Sequence, residues 1–418
     1  MPALASTKLL ARTLSPALFA LIVIAVSYFA LNPSSNNTSF AAASPAIQSC
    51  DLAWKVVPGP NPDPGFDIFE SVSALSATDI WAVGSINTRK GTLAEHWDGA
   101  HWTVFPTPNF GTERSEILGV AAIASNNVWA VGVSYALNSN EERVSYVIHW
   151  DGTIWTLVPV PVLGDTKNQG GSDGTDRDFD KFYGIEALSA NDIWITGEAY
   201  RYSEFPQVLM LHWNGANWTR FLAPSPGSDW NRIEGIEALS PNDIWAVGYY
   251  RIAGEQDKTL ALHWDGTAWT LSPSLNPEPN RNFLNDVAPV TANNVWAVGY
   301  SISDIGNVRP TMFHWDGTAW SETPLTEPPT GGSEGLTAIT AISANDIWAV
   351  GIFGMAYHWD GVSWIVSDIE DVIYFEDITA LSSTDVWAVG SAHSNPLAQR
   401  YSADCALPTF TPTATPTA

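Results

Sequence analysis

The chain has 418 residues, 45% of them hydrophobic, with 21 tryptophans, two cysteines and a net charge of −26. That acidity disfavours nucleic acid or an anionic membrane surface as a partner. No P-loop, dinucleotide fingerprint or paired-cysteine metal motif occurs, so no cofactor is expected on that ground.

Lys8 and Arg12 precede an apolar run from Pro16 to Leu31, which reads as an export signal. Small-residue cleavage sites follow at Ala41-Ala42-Ala43 and Ser44-Pro45-Ala46. The run is also long enough for an uncleaved membrane anchor, and both readings stay open. Residues 1–31 are therefore expected to be a signal peptide or anchor and 32–49 a disordered linker. The chain beyond is expected to be secreted or held at the cell surface, in an oxidising compartment.

From residue 50 one phrase recurs, fullest at Asn242-Asp243-Ile244-Trp245-Ala246-Val247-Gly248 and completed by His263-Trp264-Asp265-Gly266-Thr267-Ala268-Trp269. The first half occurs seven times, with Trp81, Trp129, Trp194, Trp245, Trp296, Trp348 and Trp387. The second half occurs six times, each with a further tryptophan five residues on, as in Trp264 and Trp269. Ile236–Ser240 reads as a short strand, Ile244–Tyr249 as a second ending at Gly248, Leu260–Trp264 as a third, and a fourth runs through Trp269. Asp265-Gly266 is the two-residue signal of a type I′ turn, and Asn214-Gly215 replaces it in another repeat. Four antiparallel strands repeated in this way predict an all-β, seven-bladed β-propeller over residues 50–405, with the tryptophans stacked between blades.

The seventh third strand is degenerate, with Tyr401 where tryptophan is expected, and its fourth strand is missing from the C-terminal side. Trp54-Lys55-Val56-Val57-Pro58 matches that missing strand and is expected to close the ring. Cys50 lies four residues before Trp54 and Cys405 four after Tyr401, so the closure predicts a disulfide between them. The six repeated histidines fall in six different blades and are expected to be structural rather than metal ligands. Residues 406–418, a Thr/Pro alternation, read as a tail or spacer.

Function is expected on the loops that join blades and those that join second to third strands, which differ from copy to copy. The longest run, Gly164 to Lys181, carries Asp176, Asp178 and Asp180, whose spacing could supply oxygen ligands to Ca²⁺ or form a solvated acidic loop. Trp230 is the one tryptophan outside the repeat, and with Asp229 and Arg232 beside it forms a candidate sugar-stacking site. Tyr200, Tyr202, Tyr250, Arg251 and Arg281 are the other aromatic and basic candidates on that face.

The repeat resembles those of secreted bacterial β-propellers of the kelch and galactose-oxidase type, through a second strand ending in glycine and aromatic third and fourth strands. Gly84, Gly132, Gly248 and Gly299 are each followed by a non-glycine residue, unlike the kelch Gly-Gly pair. Asp265-Gly266-Thr267-Ala268-Trp269 is also similar to the sialidase Asp-box, itself a structural turn. These likenesses imply the propeller and no particular chemistry. The preferred reading is a non-catalytic, monomeric module that binds a carbohydrate or protein through the long-loop face. The alternatives are a glycan-active hydrolase or lyase, for which Asp178, Asp229 and Glu234 are candidate carboxylates, and a structural surface scaffold.

Overall fold

The computed structural model describes residues 52–403, apart from 63–64, 88, 109–113, 136–142, 162–178, 202–203, 326–334 and 370–372. The described residues form seven four-stranded antiparallel sheets. Blade 4 shows the plan: β14 (Trp230–Ser240) is innermost, followed outward by β15 (Asp243–Arg251), β16 (Asp257–Trp264) and β17 (Trp269–Leu271). The second strands are buried on both sides, because each blade is covered by two neighbours; Ile244, Ala246 and Val247 have no exposed surface. The seven-bladed propeller expected from the repeat is the fold.

Six of the seven second-strand tryptophans pack on the next blade's two tryptophans. Trp81 lies 5.2 Å from Trp150 and 5.3 Å from Trp155, the latter edge-on. Trp194 meets Trp264 and Trp269, and Trp245 meets Trp315 and Trp320, in the same way. Edge-on packing places the positive ring edge against the negative ring face, adding to the area each indole buries. The ring closes as the sequence predicts. β1 (Leu52–Val56) pairs with β28 (Asn395–Ala403), the outer strand of the sheet that also holds β26 (Ile373–Ser382) and β27 (Asp385–Ala392). Trp348 there meets Tyr401 at 4.6 Å and Trp54 at 5.7 Å, the pair standing in for two tryptophans. Cys50 and Cys405 lie outside the described residues, as do Asp176, Asp178 and Tyr202.

Two sequence expectations are corrected. The turn between third and fourth strands is not type I′, because only its glycine has positive φ, as at Gly266 (+89°). Trp264 pairs with Trp269 across a four-residue loop. Asp265 Oδ1 there accepts from Thr267 N (2.8 Å), Thr267 Oγ1 (2.6 Å) and Ala268 N (2.9 Å). One acceptor oxygen suffices for the backbone bonds, so Asn214 replaces aspartate without loss, accepting from Ala216 N and Asn217 N at 3.0 and 2.9 Å.

Gly248, expected at a strand end, sits inside β15 opposite Ile233. The innermost strand bulges after Ile233, and the bulge drives the Arg232 carbonyl oxygen onto Gly248, where a Cβ would overlap it. The same overlap awaits a side chain at Gly84, Gly197, Gly299 and Gly390. Gly248→Ala is therefore expected to destabilise the ring by about 2–4 kcal/mol, read as a lower Tm in thermal unfolding. An unchanged Tm would mean that the bulge is not rigid.

The repeated histidines are structural. His263 stacks on Trp245 at 4.5 Å, directly across the ladder, and its Nε2 bonds Asp243 Oδ1 at 2.8 Å. Asn127 and Asn294 take the aspartate's place for His149 and His314. In the seventh blade Arg400 replaces the histidine and binds Asp385 with two bonds of 2.7 and 2.8 Å.

Candidate functional site

The innermost strands line a central channel enclosing about 410 Å³. One residue per blade is aimed into it by the bulge: Glu70, Leu118, Tyr183, Glu234, Asn285, Thr337 and Glu376. A bulge inserts an unpaired residue, so this position is free of the ladder and can vary. The following position is small or aspartate, and there the aspartates tie blades together. Asp377 Oδ2 accepts from Ser71 Oγ and Val72 N of the first blade, both at 2.8 Å. Asp286 Oδ2 accepts from Ile339 N at 2.9 Å. Burial still pushes Asp377 up to about 6 against these bonds.

At the mouth, on the side where blades are joined, the two halves of the ring differ. On blades 3 to 5 arginine and tyrosine side chains are paired with the acids. Arg232 Nε lies 2.6 Å from Glu234 Oε1, and Nη2 donates to Oε2 at 2.9 Å. The guanidinium covers the Tyr183 ring at 3.7 Å, and the Tyr183 hydroxyl donates to Glu198 Oε1 at 2.7 Å. Burial pushes the Tyr183 hydroxyl up, with the Glu198 charge adding to it. Lys181 also lies against that ring, at 4.5 Å, and burial and then Arg232 push its ammonium down.

On blades 7, 1 and 2 the acids are less well matched. Arg89 Nε sits 2.7 Å from Glu116 Oε2 and Arg89 Nη2 only 3.9 Å from Glu70 Oε1. Burial pushes Glu70 up to about 7 and Glu376 up to about 8, the latter with the Glu70 charge adding to it. Phe353, 43% exposed, rests 5.4 Å from the ring of Tyr374, which lies two residues before Glu376 on the innermost strand of blade 7. Phe353 sits in a tight turn between second and third strands with φ +60°, a conformation disfavoured for a bulky residue.

The residues singled out from sequence divide into groups. Trp230 opens β14 instead of lying in a loop, and faces Arg251 across the ladder. Tyr200 meets it edge-on at 5.5 Å and stacks on Phe179 at 4.0 Å. Asn231 fixes the preceding connection by accepting from Gly227 N and donating to the Pro206 carbonyl. Arg251 Nε lies 2.7 Å from Asp229 and 3.7 Å from Asp257, which Arg281 approaches at 3.5 Å. Trp230, Tyr200, Asp229, Arg251 and Arg281 thus form one strip across blades 3 to 5. Arg232 is elsewhere, in the mouth, and Tyr250 packs against the core cluster of blades 3 and 4. Asp180 is buried and paired with Arg201 at 2.7 Å. Of the candidate carboxylates, Asp229 and Glu234 are both held by arginines.

Glu70, Tyr183 and Glu376 did not stand out in the sequence, although a signal was present. Each lies eleven residues before its second-strand tryptophan (81−70, 194−183, 387−376), and aligning that column would have shown one variable channel residue per blade.

No family model matches the chain, and no curated protein matches it. Solved structures do. YCF48 bound to D1 peptide aligns with TM-score 0.53 and 17% identity, covering 84% of this chain and 97% of that one. YCF48 from Cyanidioschyzon merolae aligns with TM-score 0.53 and 15% identity, covering 84% and 99%. The WD40 propeller domain of Doa1 aligns with TM-score 0.50 and 11% identity, covering 85% and 98%. At these identities the likeness establishes the propeller fold alone.

Proposed function

We propose that this propeller is a non-catalytic binding module that seats a segment of a partner protein across the channel mouth. The observation that carries the reading is the mouth itself. It combines half-exposed aromatic rings with incompletely matched acids on a rigid ring, the mix expected of a recognition surface. A propeller of the same fold has been solved with a peptide bound, which is consistent with this reading. The apolar run at 16–31 and the cysteine pair support placement outside the cytoplasm, secreted or at the cell surface. The kelch-like character of the repeat is kept as part of the same proposal.

The test is panning a random peptide library on the full chain. Selected peptides should lose binding at least tenfold to Phe353→Ala and keep it with Val362→Ser, which alters an exposed turn between the two outer strands of its blade, away from the channel. Loss with neither variant would refute the site. A second reading, a lectin, is favoured by Trp230, whose ring is partly exposed and held in place by Tyr200. Saturable glycan-array binding, abolished by Trp230→Ala and matched by no peptide, would establish it instead.

A further inference from the structure

Three of the seven bulge positions are glutamates: Glu70, Glu234 and Glu376. Glu234 shows how the fold satisfies such a group, because Arg232, two residues earlier on the same strand, supplies two contacts of 2.6 and 2.9 Å. The equivalent positions before Glu70 and Glu376 are Ile68 and Tyr374, which bring no cation. Glu70 Oε1 is buried without a hydrogen-bond donor. Arg89 stands off from it at 3.9 Å because its guanidinium is taken up by Glu116. Among the described residues no hydrogen bond or ion pair reaches Glu376. The two glutamates occupy neighbouring blades, line the same cavity and act on each other electrostatically. Two part-buried acids in one confined cavity, with Glu70 Oε1 fully enclosed and donorless, are costly unless a cation joins them.

We infer that this half of the mouth receives a basic side chain, arginine or lysine, from the partner segment. Glu70 and Glu376 are its counter-ions, and Phe353 and Tyr374 form the shelf for an adjoining apolar residue. The inference rests on the protein-segment reading above and adds the chemistry of the ligand. The arginine–carboxylate pair in blade 4 is the template within the same molecule, and a guanidinium can meet both carboxyls in bidentate fashion. A net charge of −26 favours approach of a basic partner.

Binding should also release protons. In the free protein Glu70 faces Arg89, Glu116 and Lys181, and Glu376 faces Glu70, Arg89 and Asp377. Burial leaves the two carboxyls partly protonated near neutrality, and an arriving cation expels what they hold, so affinity should rise with pH from about 6 to about 8.5.

The probe is a set of blocked nonapeptides identical except for the central residue, which is arginine, lysine, citrulline or glutamate, each followed by phenylalanine. They are titrated calorimetrically into the full chain and into Glu70→Gln/Glu376→Gln, in buffers of differing ionisation enthalpy. Expected is binding of the arginine and lysine peptides at least tenfold tighter than citrulline, with proton release, and at least a tenfold loss in the double variant. Equal binding of arginine and citrulline peptides, or a variant that binds like the parent, overturns the inference and leaves the protein-segment reading intact. Failure of every peptide here, together with failure of the library panning, overturns both.

Discussion

Between about pH 6.5 and about pH 8.5 the ring is expected to lose stability, and Glu95→Gln to recover a large share of it. Glu95 has no exposed surface and neither carboxylate oxygen has a hydrogen-bond partner. Between Leu93 and Trp97 on its strand, it shares their face, which packs on Trp387 and Val389 of the last blade. The same column holds Ile148, Leu211, Leu262, Phe313 and Tyr357 in other blades. Burial, aided by the charge of Asp67, pushes Glu95 up to about 8. In the unfolded chain this carboxyl is ionised above its ordinary value of 4.5. The unfolded state thus binds fewer protons across the window, and stability falls as pH rises through it. Glu376 (about 8), Glu70 and Glu186 (both about 7) act in the same direction. Glu95 alone should account for on the order of 2 kcal/mol over those two units.

Below about pH 6.5 two histidines offset part of this trend, and only below about pH 4.5 do other groups reverse it. Burial pushes His149 and His314 down, so unfolding gains protons below about pH 6.5. Asp151, Asp265 and Asp316, held at about 2 by their turn hydrogen bonds, lose their contribution as pH falls through that value. A Tm maximum near about pH 4.5 follows, where the raised carboxyls are protonated in both states. Thermal melts in buffers across this range check it; parallel Tm profiles for the parent and Glu95→Gln would acquit Glu95.

The second large effect concerns ring closure. In the pairing of β1 with β28, Leu52 faces Ala403 and Val56 faces Gln399, so paired numbers sum to 455 (52+403, 56+399). Cys50 and Cys405, outside the described residues, have the same sum. We propose a disulfide there. Chain-entropy arguments give it up to about 5 kcal/mol. Cys50→Ser is expected to lower Tm by about 5–10 °C in a chain of this size. Intact-mass measurement before and after alkylation decides the pairing directly. Two alkylatable thiols in the unreduced protein would remove it.

The fold was legible because the phrase around Trp245 and Trp264 specifies both a strand register and an interblade contact, and it recurs often enough to count blades. Closure was legible because Trp54 and Tyr401 together complete the missing copy. The turn chemistry was misread at Asp265, where a dipeptide signal for positive φ concealed a side-chain acceptor that closes a longer loop. Gly248 was read as an ending because the clash that requires it comes from the neighbouring strand, a relation no local pattern contains. For the site, Trp230 and its neighbours were visible as departures from the repeat. Glu70 and Glu376 were not, because an acid in a strand becomes noteworthy only once the bulge turns it inward and burial removes its water.

The split seventh sheet also bears on synthesis. β1 emerges early from the ribosome, yet its partner begins only at Asn395, 339 residues after Val56 (395−56). At ordinary elongation rates the strand waits for roughly 20–70 s. For most of that interval Trp54 has neither the indole of Trp348 nor the ring of Tyr401 to meet, and the arc of completed blades has two open ends. The molecule is therefore expected to be most exposed to misassembly just before its last strand is translated, and a chaperone that shields the N-terminal strand would act during that interval.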